Sequence, residues 1–164
     1  MKKMMLMVLV AALSLSLFAG CGILGGGETT APPEDLMYTF EVGISMQMPE
    51  GFQEKESKHN DFFGTGNNGT YAMIANVESK EGFTDLTEYA EGIAKANDAG
   101  EIQLSTEGGY LYIEYINPSD GNRMYTVFVE GEESFYRVAF YCPESNWSTY
   151  QSLFPVWAST ITAK

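Results

Sequence analysis

Cysteine is almost absent from this chain: Cys21 and Cys142 are the only two in 164 residues. So few cysteines exclude a disulfide framework. Histidine is rarer still, with His59 alone. No His-x-x-His, paired-Cys or EF-hand spacing occurs, which argues against structural zinc and calmodulin-type calcium. Basic residues are scarce: nine Lys and Arg stand against 22 Asp and Glu, for a net charge of −13. Such a surface repels nucleic acid and anionic headgroups, and it suits solubility and spacing from an anionic envelope. One apolar run, ending at Phe18, is the longest in the chain, and no second one follows. No spanning helix is therefore expected after it. No catalytic constellation and no cofactor motif is recognisable.

What is present begins with the leader. Met1-Lys2-Lys3 is basic, residues 4–18 are apolar apart from Ser14 and Ser16, and Ala19 and Gly20 are small. A charged start, an apolar run and small residues make a secretory signal, and the run is too short to span a bilayer. Phe18-Ala19-Gly20-Cys21 resembles a bacterial lipobox, with Phe18 where Leu is commoner. The resemblance implies a diacylglyceryl group on the Cys21 sulfur and cleavage before it. Two acyl chains anchor durably, since each buried methylene adds roughly 0.8 kcal/mol. The alternative is an ordinary secretory signal with Cys21 as a bystander. The leader holds two of the nine basic residues and no acidic one, so the mature chain is more acidic than the whole.

Residues 1–20 thus read as a signal peptide and 21–36 as a lipidated Cys with a tether. The tether starts with glycines and ends near the pair Pro32-Pro33, flexible and then stiffer. Residues 37–164 read as one globular domain, large enough for a single core.

Within that domain, residues 37–40 and 44–48 have strand character, and Pro49-Glu50-Gly51 makes a turn. Residues 53–57 suit a solvent-facing strand. Phe62-Phe63 starts another, ended by the Gly-rich run 64–69. Tyr71, Met73, Ala75 and Val77 alternate onto one strand face. A helix follows, capped by Thr84 or Asp85, with Asp85 and Glu88 at capping-box spacing. Leu86, Tyr89, Ala90, Ile93 and Ala94 form its apolar stripe. Residues 102–105, 110–116, 124–129 and 135–142 read as strands, the last three joined by short turns as an antiparallel meander. Tyr136, Val138, Phe140 and Cys142 share the face expected to be buried, with Phe135, Arg137, Ala139 and Tyr141 facing out. Trp147, Tyr150 and Phe154 repeat at helical spacing, and Pro155 should end or kink that helix near Phe154. The expected class is α+β, with helices on a central antiparallel sheet of about six strands.

This order resembles the PsbP-like superfamily, including bacterial lipoproteins that share its fold. The likeness spans about residues 37–161. It lies in the opening strand into Met48-Pro49-Glu50-Gly51-Phe52, in the helix starting at Thr84-Asp85-Leu86, and in the strand Tyr136-Arg137-Val138-Ala139-Phe140 before a closing helix. Phe52 stands where Trp is commoner. The resemblance implies an α/β/α sandwich and mostly non-enzymatic roles: accessory subunits, assembly factors and binding proteins. No residue specific to a photosystem role is matched.

Candidate sites are few. His59 sits in a polar turn and reads as a solvated loop residue. Cys142 closes an apolar strand and reads as a buried, inert thiol; a nucleophile there would need His59 beside it. Glu54 with Glu56, or Glu132 with Glu133, can pair as acid and base only if burial raises a pKa. Residues 64–69 lack the Lys-Ser/Thr of a phosphate loop, and residues 117–122 lack a calcium loop's closing Glu. The remaining feature is a set of tyrosines on neighbouring strands. If helices cover only one sheet face, Tyr110, Tyr112, Tyr125 and Tyr141 offer an interaction surface, because Tyr buries much area at little entropy cost. The leading expectation is a lipid-anchored, extracytoplasmic, non-enzymatic binding or accessory domain of a bacterial envelope. It would be held by lipid on Cys21 and engage an unknown protein or envelope component. The alternatives are an envelope hydrolase using carboxylates or Cys142, and a small-ligand carrier.

Overall fold

The computed structural model describes residues 35–164 other than 107. The expected signal peptide, Cys21 and all but the last two residues of the tether lie outside the described residues.

Two antiparallel sheets share one core. Strands β1 (Asp35–Thr39), β2 (Ile44–Pro49) and β10 (Thr162–Ala163) form the smaller sheet, with β2 central. The larger has seven strands: β3 (Gln53–Glu54), β4 (Phe62–Gly66), β5 (Tyr71–Ser79), β6 (Gln103–Leu104), β7 (Leu111–Ile116), β8 (Asn122–Glu130) and β9 (Ser134–Pro143). Their spatial order is β3-β4-β5-β9-β8-β7-β6. The meander β6 to β9 thus adds its last strand to β5. The expected α+β class holds, with seven strands rather than six in the main sheet. The opening strand pair departs into its own small sheet, which the C-terminal strand β10 completes by pairing with β2.

The main sheet buries most of its first face. Met73, Ala75, Val127, Val138, Phe140 and Cys142 on that face meet Ile44, Met46 and Met48 from β2. They also meet Tyr150 from α2 (Trp147–Tyr150), and Phe154 and Trp157 from α3 (Leu153–Ala158). Ile44, Met46 and Met48 are 0 % exposed. Each such side chain removed from water contributes about 1.5–3 kcal/mol. The alternation Ile44, Met46, Met48 puts all three on one side of β2, as a period of two requires.

The second face is covered at one end by α1 (Leu86–Ala96). Its Tyr89, Ala90 and Ala94 pack on Ile113, Phe128 and Phe135. Asp85 caps this helix by accepting from the Glu88 amide at 3.0 Å, and Glu88 accepts in turn from the Thr84 amide at 2.7 Å. That return bond holds the Glu88 carboxyl below the usual carboxylate range.

Three local expectations are corrected. The Gly-rich run does not end β4: the strand continues through Gly64 and Gly66, and the turn is Asn67 to Gly69. A side chain at Gly64 would meet the Phe52 ring, and one at Gly66 the Tyr71 ring, so glycine here admits aromatic packing. Pro155 does not end its helix. The break falls earlier, at residues 151–152, and Pro155 sits in the first turn of α3. A proline there cannot donate to the residue 151 carbonyl, so one continuous helix would lose that bond, whereas a new first turn does not need it. Finally, β9 does not turn its second face wholly outward. Phe135 and Ala139 are each 2 % exposed, because α1 and the flanking strands cover them. Among the described residues, no helix is long and apolar enough to cross a membrane.

Candidate functional site

The second face of the main sheet is a patchwork. Strand register defines it: β9 sets Arg137 between Asn76 and Phe128, Ala139 between Ile74 and Thr126, and Tyr141 between Ala72 and Met124. Phe63 of β4 lies opposite Ile74, and Tyr115 of β7 opposite Met124. Helix α1 closes the Phe128–Phe135 end, where Tyr89 stacks on Phe135 at 5.5 Å and meets Phe128 edge-on at 5.8 Å. Past the helix, Phe63, Ile74, Tyr115, Arg137 and Tyr141 are only partly buried. The loop after β3 borders this open half and leaves a groove of about 300 Å³ lined by residues 56–60, Phe63 and Tyr141.

The polar groups here are unusually unmet. Among the described residues, the Arg137 side chain has no hydrogen bond or ion pair. The other arginine, Arg123, lies 4.9 Å over the Trp147 ring and 4.0 Å from Glu144. Around Arg137, the buried Asn76 Oδ1, Tyr89 hydroxyl and Thr126 Oγ1 lack partners. Burial pushes the Tyr89 phenol up to about 12, against the pull of Arg137, with Glu78 adding to the rise. Burial likewise raises Tyr115; the Thr126 hydroxyl and Arg137 oppose this, and Thr126 stays outside hydrogen-bond geometry. Tyr141 is raised by burial and then by Asp120.

The tyrosines expected to form one surface fall on two faces. Tyr110, Tyr112 and Tyr125 belong to the first face and its core. Tyr110 is 9 % and Tyr125 2 % exposed, so neither offers contact area to a partner. Their hydroxyls meet at 2.9 Å, and Tyr110 donates to the Pro155 carbonyl at 3.2 Å. Tyr112 is partly buried, stacks on Tyr125 at 5.0 Å and donates to Gln103 Oε1 at 2.7 Å. Helix α3 reaches the Tyr110–Tyr125 end through Pro155, which sequence spacing cannot foresee. Tyr141 alone of the four faces the open half.

Cys142 is 1 % exposed in the first-face core. Burial, with help from Glu144 and against Arg123, raises its thiol to about 11. His59 lines the groove beside Tyr141 on the other face, so the two do not form a nucleophile–base pair. Glu54, Glu56, Glu132 and Glu133 are exposed. Two other carboxylates do share a groove: Glu91 and Glu101, with Lys95, line about 540 Å³ between α1 and β6. Both are exposed, which denies them the desolvation that a neutral general acid needs. The turn at 117–122 spends its oxygens on itself: Asn117 Oδ1 accepts from Ser119, and Asp120 Oδ1 from the Asn122 amide. No group of three potential metal ligands occurs among the described residues.

Sequence reading missed the Arg137–Asn76 locus. Its signal was there: Phe135, Ala139 and Tyr141 alternate with the core positions of β9, too apolar a set for a solvent face.

No family model matches the chain, and no curated protein matches it significantly. Solved structures do. The cyanobacterial PsbP (CyanoP) of Synechocystis aligns with a TM-score of 0.59 at 16% identity, covering 86% of this chain and 99% of that one. The Ran-binding protein Mog1p of Saccharomyces cerevisiae gives 0.53 at 9%, covering 80% of this chain and 96% of its own. A protein from Bacteroides thetaiotaomicron gives 0.54 at 13%, covering 81% of this chain and 49% of its own. At these identities the likeness is one of fold. The chain therefore has a PsbP-like fold, an antiparallel sheet with a few helices that is common to a cyanobacterial PsbP and a Ran-binding protein.

Proposed function

We propose that the chain is a non-enzymatic accessory or binding module of a bacterial envelope, anchored by a lipid on Cys21. It engages a protein through the open half of its main sheet. The observation that carries this is the uncovered second face, with Phe63, Ile74 and Tyr141 side by side and α1 stopping short of them. Partly exposed aromatics on a rigid sheet suit a protein contact, because they bury area without ordering a loop. Two observations favour binding over catalysis: Cys142 and His59 stand on opposite faces, and the paired carboxylates are solvated. The Ran-binding activity of Mog1p supports a protein partner by analogy of fold alone. The segment Phe18-Ala19-Gly20-Cys21 supports the anchor.

Affinity capture from membranes with the full-length protein tests the face. A specific protein should be retained by the wild type and lost with Phe63→Ser or Tyr141→Ser, both of which should keep the fold. Capture unaffected by either change, or substrate turnover without a partner, overturns the reading. Palmitate labelling tests the anchor: it should vanish with Cys21→Ser, and the protein should then be released. An unmodified Cys21 at the mature amino terminus overturns it.

A further inference from the structure

This inference rests on the open sheet face being the contact surface, and it names what that face recognises. We propose that Arg137 receives the carboxylate of an Asp or Glu side chain from a protein segment laid across the open half of the sheet.

The argument is one of unmet chemistry. Arg137 carries a positive charge, is partly buried, and its side chain has no hydrogen bond or ion pair among the described residues. None of its nitrogens is among the buried unpartnered atoms, so the fork reaches solvent and is open to a ligand. The neighbouring Tyr89 and Thr126 hydroxyls are 2 % and 1 % exposed and likewise unpaired. Cation and hydroxyls can all donate. A carboxylate only accepts, with room for several donors, and fits a guanidinium fork in bidentate fashion. An apolar or cationic occupant would leave the Arg137 fork unmet. Asn76 Oδ1, directly opposite Arg137, can take a remaining guanidinium N–H and fix the fork. By register Arg137 stands two residues from Phe135, which Tyr89 of α1 packs against, and four from Tyr141, at the boundary of the open half. Phe63, Ile74 and Tyr141 lie farther along the same face. The expected ligand is therefore an acidic side chain with apolar residues on the flank that crosses toward β4.

Among the described residues, the carboxylates that reach these groups are Asp61, which already accepts from the Val77 amide, Asp120, which acts on Tyr115 and Tyr141, and Glu78. Glu78 follows Asn76 on the same face of β5, opposite Phe135, and faces Tyr89. It forms no ion pair with Arg137, and the test includes it.

The test is selection of random heptapeptides on the full-length protein in detergent micelles. Enriched peptides should share one Asp or Glu beside apolar residues. Binding of an enriched peptide should fall at least tenfold when its acid becomes the amide. It should fall similarly with Arg137→Gln and less with Arg137→Lys, each variant keeping the wild-type melting curve. The idea is overturned by no enrichment, by enrichment without an acid, or by a preference that survives Arg137→Gln. It is also overturned if Arg137→Gln and Glu78→Gln destabilise the protein non-additively, since that marks an internal pair. If Phe63→Ser abolishes membrane capture while Arg137→Gln leaves it intact, the face stands and acid recognition fails. If neither matters, the face itself is refuted.

Discussion

Tyr125 donates its hydroxyl to Tyr110 at 2.9 Å, and Tyr110 passes its own proton to the Pro155 carbonyl at 3.2 Å. The two phenols are therefore not equivalent. Tyr125→Phe leaves Tyr110 with the carbonyl and should cost about 1 kcal/mol or less, the usual worth of one hydrogen bond. Tyr110→Phe strands a hydroxyl that is 2 % exposed and frees the carbonyl, and should cost about 1–3 kcal/mol. Urea denaturation of the two variants should rank them in that order. The reverse order would mean that α3 is held some other way.

Gly66 lies under the Tyr71 ring, where an added methyl would collide with it. Tyr71 also packs on Trp157 and Tyr150, each at 5.0 Å, so the ring cannot move freely aside. Gly66→Ala should destabilise by about 1–3 kcal/mol, the cost of overfilling a packed core. Thermal unfolding would measure it; a neutral effect would show that the ring has space.

The Tyr89 phenol makes the fold sensitive to alkali. Its value in the folded state, about 12, exceeds that of a free tyrosine, about 10. The folded chain thus holds the proton where the unfolded chain releases it. Stability is unaffected below about pH 10 and falls as pH rises toward 12, by on the order of 3 kcal/mol. Tyr89→Phe should flatten that decline. It should cost little at pH 7, because the hydroxyl it removes has no partner. Denaturation curves at pH 7 and pH 11 would check both statements.

Cys142 should resist alkylation in the native protein at pH 8, since its thiol is buried and raised to about 11. Denaturation should expose one reactive thiol if Cys21 carries a thioether, and two if it does not. Rapid native labelling would refute the buried assignment.

Much of the fold is legible in the residues alone. The stripe Leu86, Tyr89, Ala90, Ile93, Ala94 with its Asp85 cap specifies α1, because local spacing and a local hydrogen bond suffice. The alternation in β2, β5 and β9 specifies their core faces, and short turns specify the meander. These are short-range properties, and one sequence contains them. The Phe18-Ala19-Gly20-Cys21 segment likewise gives the lipidation hypothesis from residue types alone.

Tertiary structure decided what depends on distant partners. That Tyr110 and Tyr125 are core while Tyr141 is open depends on where α3 and α1 come to rest, since both sheet faces carry tyrosine. That β1 and β2 leave the main sheet depends on β10, more than a hundred residues away. That Arg137 stands opposite Asn76 and not a carboxylate is a matter of register between β5 and β9. Alternation tells which residues share a face, but only packing tells whether anything covers it.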